Sequence, residues 1–323
     1  MRYSYVFMVA VLAYGQSSPP LKLETTIELP GVRGRIDHLA VDLKGQRLFV
    51  AALGNDTVEI LDTKGARRLH AIAGLGEPQG IFYLPDQDRL FVANGKDGSC
   101  RIYDATSRQL LKTVGFGDDA DNIRYDAAAK QIYVGYGSGA LGILDLQGNK
   151  VADIKLDAHP ESFQLEKNGS RIFVNLPNSR KVTVIDRNKK AVATSWQTGG
   201  ALANYPMALD ETGRRLFVVC RKPAVLLVLN TDSGAVVGSF PTVGDCDDVF
   251  YDPTSRRIYA SGGEGAIAVH EQQDANHYRE IARVPTVKGA RTSLFVPGLD
   301  RLFLAVRSEG SASAAIRVYQ VSR

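Results

Sequence analysis

The chain has 323 residues, of which 44% are hydrophobic and 23% are charged, and its formal net charge is +4 at pH 7. This composition is that of an ordinary folded protein and excludes a largely disordered chain. The small net charge and the scatter of the basic residues along the chain argue against a nucleic-acid partner.

The N-terminal stretch has the pattern of a cleavable export signal. Arg2 supplies a positive charge, residues 5–14 are mostly apolar, and Ala13-Tyr14-Gly15 fits a small-x-small cleavage site. The apolar run is shorter than the roughly 20 residues that a membrane helix needs, and no other run approaches that length. A buried N-terminal strand is the alternative interpretation.

These features predict three segments. Residues 1–15 are expected to be a signal peptide, residues 16–22 a linker, and residues 23–323 a single domain. The mature chain would start near Gln16 and would be periplasmic in a bacterium, or secreted.

One four-residue pattern recurs seven times and divides the rest of the chain. It combines Arg or Gln, an aliphatic residue, an aromatic residue and a small or aliphatic residue, at steps of 40 to 44 residues. The copies begin at Arg47, Arg89, Gln131, Arg171, Arg215, Arg257 and Arg301, and we refer to these positions as anchors. Repeats of this length, made of short apolar runs, predict an all-β, seven-bladed propeller whose blades share one core.

Each repeat can be divided into four strands. In the first blade they are residues 37–41, 47–51, 58–61 and 68–72, with short turn-like linkers between them. The second strand is continuously apolar, which is typical of a strand covered on both faces. We expect the aromatic residues at its centre to pack between blades: Phe49, Phe91, Tyr133, Phe173, Phe217, Tyr259 and Phe303.

The seventh repeat lacks a fourth strand, because the chain ends four residues after Tyr319. The strand-like segment Leu23–Leu29 has no blade of its own. We therefore expect it to complete the last blade, which would join the two ends and remove open sheet edges.

The repeats resemble a known family. Arg89-Leu-Phe-Val-Ala-Asn94 with Ile102-Tyr-Asp104, and Lys181-Val-Thr-Val-Ile-Asp186, are similar to the repeats of YVTN-repeat, YncE-like β-propellers. The resemblance implies an exported seven-bladed propeller related to the β chain of quinoprotein amine dehydrogenase, and it carries no chemistry. Gly135-Tyr136 departs from the pattern, and no blade ends in Trp-Asp, which argues against a WD-repeat scaffold.

Positions at equal distance from the anchors should form rings around the propeller axis. Because alternate residues of a strand point the same way, the rings ten and twelve residues before the anchors could project together at one channel mouth. The first ring is Asp37, Gln79, Asp121, Glu161, Tyr205, Asp247 and Arg291. The second ring is Arg35, Glu77, Asp119, His159, Ala203, Asp245 and Gly289.

The carboxylates of these rings, with neighbouring amides and histidines, could hold a ligand. The candidate ligand-binding set is Asp37, His38, Glu77, Gln79, Asp119, Asp121, Asn122, His159, Glu161, Asn204, Tyr205, Asp245, Asp247, Asp248 and Arg291. A divalent metal is a possible cofactor, calcium before others, with Asp37, Asp121, Glu161 and Asp247 as ligands. Alternatively, these groups cap strand entries, pair with Arg35 and Arg291, or line a hydrated channel.

Other residues yield weaker predictions. Cys220 and Cys246 would lie at the same mouth, as a disulfide or as two buried thiols beside Cys100. Gly137-Ser-Gly-Ala-Leu-Gly142 fits a dinucleotide fingerprint by letters, but no helix follows, so we interpret it as a hairpin turn. His70, His270 and His277 are expected on the surface.

Two functions are compatible with these observations. We favour a non-enzymatic, monomeric binding module with a small-molecule or protein partner, because no nucleophile, base and oxyanion site is assembled. The alternative is a metal-dependent hydrolase or lyase of the gluconolactonase or streptogramin-lyase type, with His38, His159 and Glu161 as acid or base candidates. A subunit that supports a redox partner is a third possibility, by analogy of fold.

Overall fold

The computed structural model describes residues 18–323, so the predicted signal peptide and its cleavage site lie outside the described residues. The described chain contains 28 β-strands, no α-helix and four short 3₁₀ turns, at Leu53–Asn55, Pro85–Gln87, Pro177–Ser179 and Pro297–Leu299. Numbered β1 to β28 in chain order, the strands form seven antiparallel four-stranded sheets. Residues 18–323 include no helix long and apolar enough to cross a membrane.

Each sheet is one blade, and its strands run from the channel outward. The innermost strands are β2 (Leu39–Asp42), β6 (Pro78–Leu84), β10 (Ala120–Asp126), β14 (Phe163–Leu165), β18 (Leu202–Asp210), β22 (Cys246–Asp252) and β26 (Ser293–Val296). The second strands are β3 (Arg47–Ala52), β7 (Arg89–Asn94), β11 (Gln131–Tyr136), β15 (Arg171–Leu176), β19 (Arg215–Lys222), β23 (Arg257–Gly262) and β27 (Arg301–Val306).

The outer half of each blade follows the same order. The third strands are β4 (Thr57–Asp62), β8 (Ser99–Asp104), β12 (Ala140–Leu144), β16 (Lys181–Asp186), β20 (Ala224–Asn230), β24 (Ala266–Gln272) and β28 (Ala314–Val321). The outermost strands are β5 (Arg67–Ala73), β9 (Leu110–Gly115), β13 (Lys150–Lys155), β17 (Ala191–Gln197), β21 (Val236–Pro241), β25 (Tyr278–Pro285) and, in the seventh blade, β1 (Leu21–Leu29).

Strand β1 closes the ring, as predicted. It pairs antiparallel with β28, from Leu21 opposite Val321 to Leu29 opposite Ala314, and begins two residues earlier than expected. Ile27 is 1% exposed and lies in an apolar cluster shared by the seventh and first blades. The N-terminal strand thus contributes both backbone pairing and core to the blade that joins the ends of the chain.

The core consists of seven apolar clusters, one between each pair of adjacent blades within residues 18–323. The central aromatic residues of all seven second strands are at most 1% exposed, so their predicted packing role is confirmed. Because each blade buries both faces against its neighbours, no blade has a complete core alone.

The arginine of the anchor has a role that the repeat pattern did not reveal. The guanidinium of Arg47 reaches the second blade, where it lies 2.7 Å from an oxygen of Asp88 and donates to the carbonyl oxygen of Ala105 at 2.9 Å. The same contact with the following blade recurs from Arg89 to Leu146, Arg171 to Thr231, Arg215 to Ala275 and Arg257 to Ser322. Five anchor arginines therefore tie neighbouring blades together, whereas Arg301 pairs with Glu24 of β1 within the seventh blade.

The third blade lacks this arginine, since its anchor begins with Gln131. There the contact comes from the opposite direction: Arg187 of the fourth blade lies 2.8 Å from Asp126 of the third. The exception shows that the contact between blades is kept even where the repeat has lost its arginine.

The structure decides two of the weaker predictions. The three cysteines are buried free thiols, so Cys220 and Cys246 are not bridged. His270 lies in β24 and is only 1% exposed, so its predicted surface position is wrong. Its Nε2 lies 3.0 Å from the hydroxyl of Thr242, and burial lowers its pKa to about 4.

Candidate functional site at the channel mouth

The inner strands change their pairing where they reach the channel mouth. In blade one, the backbone groups of Asp37 and His38 both bond to Ala51, the two-against-one pattern of a β-bulge. Register shifts occur at the same level in β6, β10, β18 and β22. A bulge interrupts the alternation of side chains along a strand. The side chains nine positions before an anchor can therefore face the channel mouth together with those ten positions before it.

His38 illustrates this convergence. Its Nε2 lies 3.7 Å from Asp37 and its Nδ1 lies 3.7 Å from Asp248 of the sixth blade. Although burial disfavours a charged ring, these carboxylates raise the pKa of His38. Burial raises the pKa of Asp37, and raises that of Asp248 to about 7. Arg35 pairs with Asp37, with 2.5 Å between its Nη2 and Asp37 Oδ2.

The residues twelve positions before the anchors do not continue the extended strands. Positive φ angles of 51°, 29°, 59° and 52° occur at Glu77, Asp119, Ala203 and Asp245. The alternation on which their prediction rested therefore does not apply. Asp119 still accepts a hydrogen bond from Gln79 at 2.8 Å, whereas Glu77 is exposed.

One side of the mouth is organised by arginines. Arg291 Nε lies 2.8 Å from Asp247, and its Nη1 donates to Asp245 at 2.8 Å. Arg221 donates to the same Asp247 carboxylate and stacks on Tyr205, with 4.0 Å between its Cζ and the ring centroid. These contacts hold the two aspartates in ion pairs, where they neutralise the arginines.

The other side of the mouth is acidic. Burial and the nearby Asp121 carboxylate raise the pKa of Glu161 to about 8. His159 Nδ1 donates to the carbonyl oxygen of Gly137, in the β11–β12 hairpin, at 2.6 Å. Burial opposes a charge on His159, but Asp121, the Gly137 carbonyl and Glu161 together raise its pKa to about 9. Protonated His159 thus faces acidic groups that repel one another.

Asn204 lies away from this polar surface. It is fully buried, and its Nδ2 donates to Asn175 Oδ1 at 2.9 Å and to the carbonyl oxygen of Lys181 at 3.0 Å. Asn204 therefore joins the fourth and fifth blades, as a structural contact.

The four predicted metal ligands do not form a compact ligand set. Within residues 18–323, no group of three His, Cys, Asp or Glu side chains has the spacing needed to hold a metal ion. Asp37 and Asp247 are each engaged by arginine. The calcium assignment stays a prediction, and titration of calcium into the chelated protein tests it.

Arg124 and Gln164 are polar residues of the channel that the sequence analysis did not predict. Seven positions before the anchors the residues are Ala40, Phe82, Arg124, Gln164, Ala208, Phe250 and Leu294. Arg124 is the one charged member of that ring, a departure that the repeat comparison could have found at this offset. It lies in β10, deeper in the channel than the mouth carboxylates.

Comparison with solved structures supports the architecture. A chain of the crystal structure of the mitotic checkpoint complex matches with a TM-score of 0.79 and 14% identity, covering 100% of this chain and 98% of that chain. A chain of hydrazine synthase from Kuenenia stuttgartiensis matches with a TM-score of 0.74 and 17% identity, covering 95% and 98%. At these identities the likeness concerns the fold.

Comparison by sequence is less extensive. Protein NEDD1 from Mus musculus is 24% identical over 212 residues, which are 64% of this chain and 32% of NEDD1. The chain thus spans about a third of the length of the curated protein it matches. No family model matches the chain.

Fold and comparisons together define a seven-bladed β-propeller. The narrower YVTN-repeat assignment rests on the residues of the repeats alone.

Proposed function

We propose that this protein is an exported, non-enzymatic binding propeller that holds an oxyanion-bearing ligand at its channel mouth. The observation that carries the proposal is a cavity of about 160 Å³ beside the arginines of the mouth. Four basic side chains line it together with Asp245: Arg35, Lys288, Arg291 and Arg307. We call it the mouth cavity.

Two of these basic residues are available to a ligand. Arg35 and Arg291 are engaged by mouth aspartates, whereas Lys288 and Arg307 have no carboxylate within 4.0 Å among residues 18–323. The guanidinium of Arg307 passes over Gly289, where an added Cβ would lie 2.7 Å from its Cζ. A guanidinium fork beside an ammonium group suits a carboxylate or a phosphate.

The test is a calorimetric titration with citrate, inorganic phosphate and a tetraglutamate peptide, which separates free anions from an acidic protein segment. Arg307→Gln and Lys288→Gln should each weaken the tightest of these about tenfold, the effect of losing one charge-assisted contact of about 1.5 kcal/mol. Lys155→Gln, which removes an exposed lysine at the end of β13, is the matched control and should change nothing.

Binding of none of the three probes, or binding that is equally strong in all variants, would refute this assignment. High salt should weaken the binding in the parent protein, since the contact is made by exposed charges.

Export is the second part of the proposal, and the pattern of residues 1–15 supports it. N-terminal sequencing of the protein recovered from the periplasm or the medium should show a start near Gln16. Recovery of the chain from the cytoplasm with its first residues intact would contradict export.

The metal-dependent hydrolase or lyase is retained as a second candidate for one reason. Glu161 and His159 both have strongly raised pKa values at the acidic side of the mouth, and such groups can transfer protons near neutral pH. Turnover of a lactone panel that is lost in Glu161→Gln would favour this candidate. Absence of turnover in calcium-loaded and chelated protein would remove it.

A further inference from the structure

A second cavity lies inside the channel and shares no lining residue with the mouth cavity. It has a volume of about 290 Å³ and is built by the inner strands of six blades. Its polar lining is His38, Asn122, Arg124, Gln164, Asp248 and Ser293. We call this cavity the axial chamber. In the second blade Gly80 lines it, at a point where an added Cβ would lie 2.0 Å from the carbonyl oxygen of Asp121.

Arg124 is the basic group of the chamber that has no ion pair. No carboxylate lies within 4.0 Å of its guanidinium among residues 18–323, and one of its nitrogens donates to the carbonyl oxygen of Ile123 at 2.8 Å. Its Cζ lies 5.5 Å from the ring centroid of Phe163. Burial lowers the pKa of Arg124. Asp248 and Asp121 act on its charge only from beyond 4.0 Å, and a largely buried guanidinium without a direct ion pair is costly, so this position favours an anionic partner.

The chamber also carries two acceptors, Asp248 across the ring from Arg124 and Asn122 on the same strand as Arg124. Asp248, from the sixth blade across the ring, accepts the backbone N–H of Ser293 at 2.8 Å and lies 3.7 Å from His38. Asn122 is 3% exposed, and its Oδ1 has no hydrogen-bond partner in the described part of the chain. His38 lies between Asp37 and Asp248, so the Asp248 carboxyl group is the acidic group that lines the chamber.

We propose that the axial chamber binds a small zwitterion of the α-amino acid class. The carboxylate would pair with the guanidinium fork of Arg124, and the ammonium group would face Asp248 and Asn122. Phe250 and Leu294 offer an apolar surface to a short side chain. A volume near the lower end of ligand cavities, about 300 Å³, suits a molecule of this size.

A third cavity adjoins the axial chamber, toward the far ends of the inner strands β10 and β14. It has a volume of about 440 Å³ and is lined by residues 124–128 and 164–167, so Arg124 and Gln164 line both cavities. The side chains of Arg124 and Gln164 therefore separate the two cavities, and we expect a ligand to enter the axial chamber from this side.

The experiment is a calorimetric titration with L-alanine, L-leucine, acetate and ethylamine. L-alanine should bind, and acetate and ethylamine should each bind at least about tenfold more weakly, since each makes only one of the two charged contacts. Arg124→Gln and Asp248→Asn should each reduce the affinity for alanine by about the same factor. Lys155→Gln, outside both cavities, should leave alanine binding unchanged, and because the two cavities share no lining residue the two sites can fail independently.

Folding of the variants is monitored by circular dichroism. If Arg124→Gln does not fold, Arg124→Lys replaces it: the charge remains and the fork is lost, so alanine should bind more weakly than in the parent. Three results would overturn the proposal: no heat with alanine or leucine at millimolar concentration, acetate or ethylamine binding as tightly as alanine, or affinity for alanine unchanged by every channel substitution.

Discussion

Replacing Glu161 by Gln should have no effect on stability near pH 4.5 and should stabilise the protein above pH 8. The Glu161 carboxyl is buried at the acidic side of the mouth, where burial and Asp121 raise its pKa from the ordinary value of 4.5 to about 8. A raised carboxyl pKa favours the folded state below pH 4.5, and this contribution is lost as the pH rises through 8.

The size of the effect follows from the pKa values. At about 1.4 kcal/mol for each pH unit between 4.5 and 8, the parent loses up to about 5 kcal/mol that the Gln variant keeps. Gln has the shape of the protonated acid but does not ionise. The variant should therefore show a flatter dependence of unfolding free energy on pH, with the difference developing between pH 4.5 and 8.

Urea unfolding of both proteins from pH 4.5 to 9, followed by circular dichroism, measures this difference without the screening that a salt denaturant adds. Glu309→Gln, at an exposed position, is the matched control and should follow the parent at every pH. Parallel curves for the parent and Glu161→Gln would show that Glu161 is ionised in the folded protein at neutral pH, and would refute the electrostatic description of the acidic side.

Three further predictions concern the rest of the fold. Ile27→Ala should lower the free energy of unfolding in urea by about 2 to 5 kcal/mol, as truncations of buried side chains do. Leu23→Ala on the same strand, where Leu23 is 47% exposed, should change it little. Equal effects of the two substitutions would contradict closure by β1. Burial lowers the pKa of His270 to about 4, so its contribution is present above pH 6.5 and lost as the pH falls toward 4. Between pH 6.5 and 4 the free energy of unfolding of His270→Gln should therefore fall by up to about 3 kcal/mol less than that of the parent. The same pH dependence in both proteins would argue against a buried neutral ring. Thiol titration should count three groups after denaturation and almost none before it, since Cys100, Cys220 and Cys246 are buried; a single group after denaturation would indicate a disulfide.

The architecture could be predicted from the sequence because each blade is formed by strands that follow one another within a single repeat. Seven anchors at nearly constant spacing give seven blades, and the apolar second strands place the aromatic residues between them. Closure by β1 followed from counting, since one blade was short of a strand and one segment had no blade.

The site was harder to predict. Offsets from the anchors correctly directed attention to the channel, but the assumption of strict strand alternation fails at the bulges and at the left-handed residues before the inner strands. Arg221, which engages Asp247, lies at the end of β19 and belongs to neither ring that the offsets defined. His270 was assigned to the surface because it lies toward the outer strands, but neighbouring strands bury it.

The sequence by itself therefore determined the number of blades, the strands that form them and the positions of their cores, because these follow from apolar runs within each repeat. Only the tertiary structure decided which charges meet: His38 between Asp37 and Asp248, the anchor arginines on the following blades, and Arg124 without an ion pair. The physical reason is that ion pairs depend on distances of a few ångströms across the channel and between blades, and the spacing along the chain does not specify those distances.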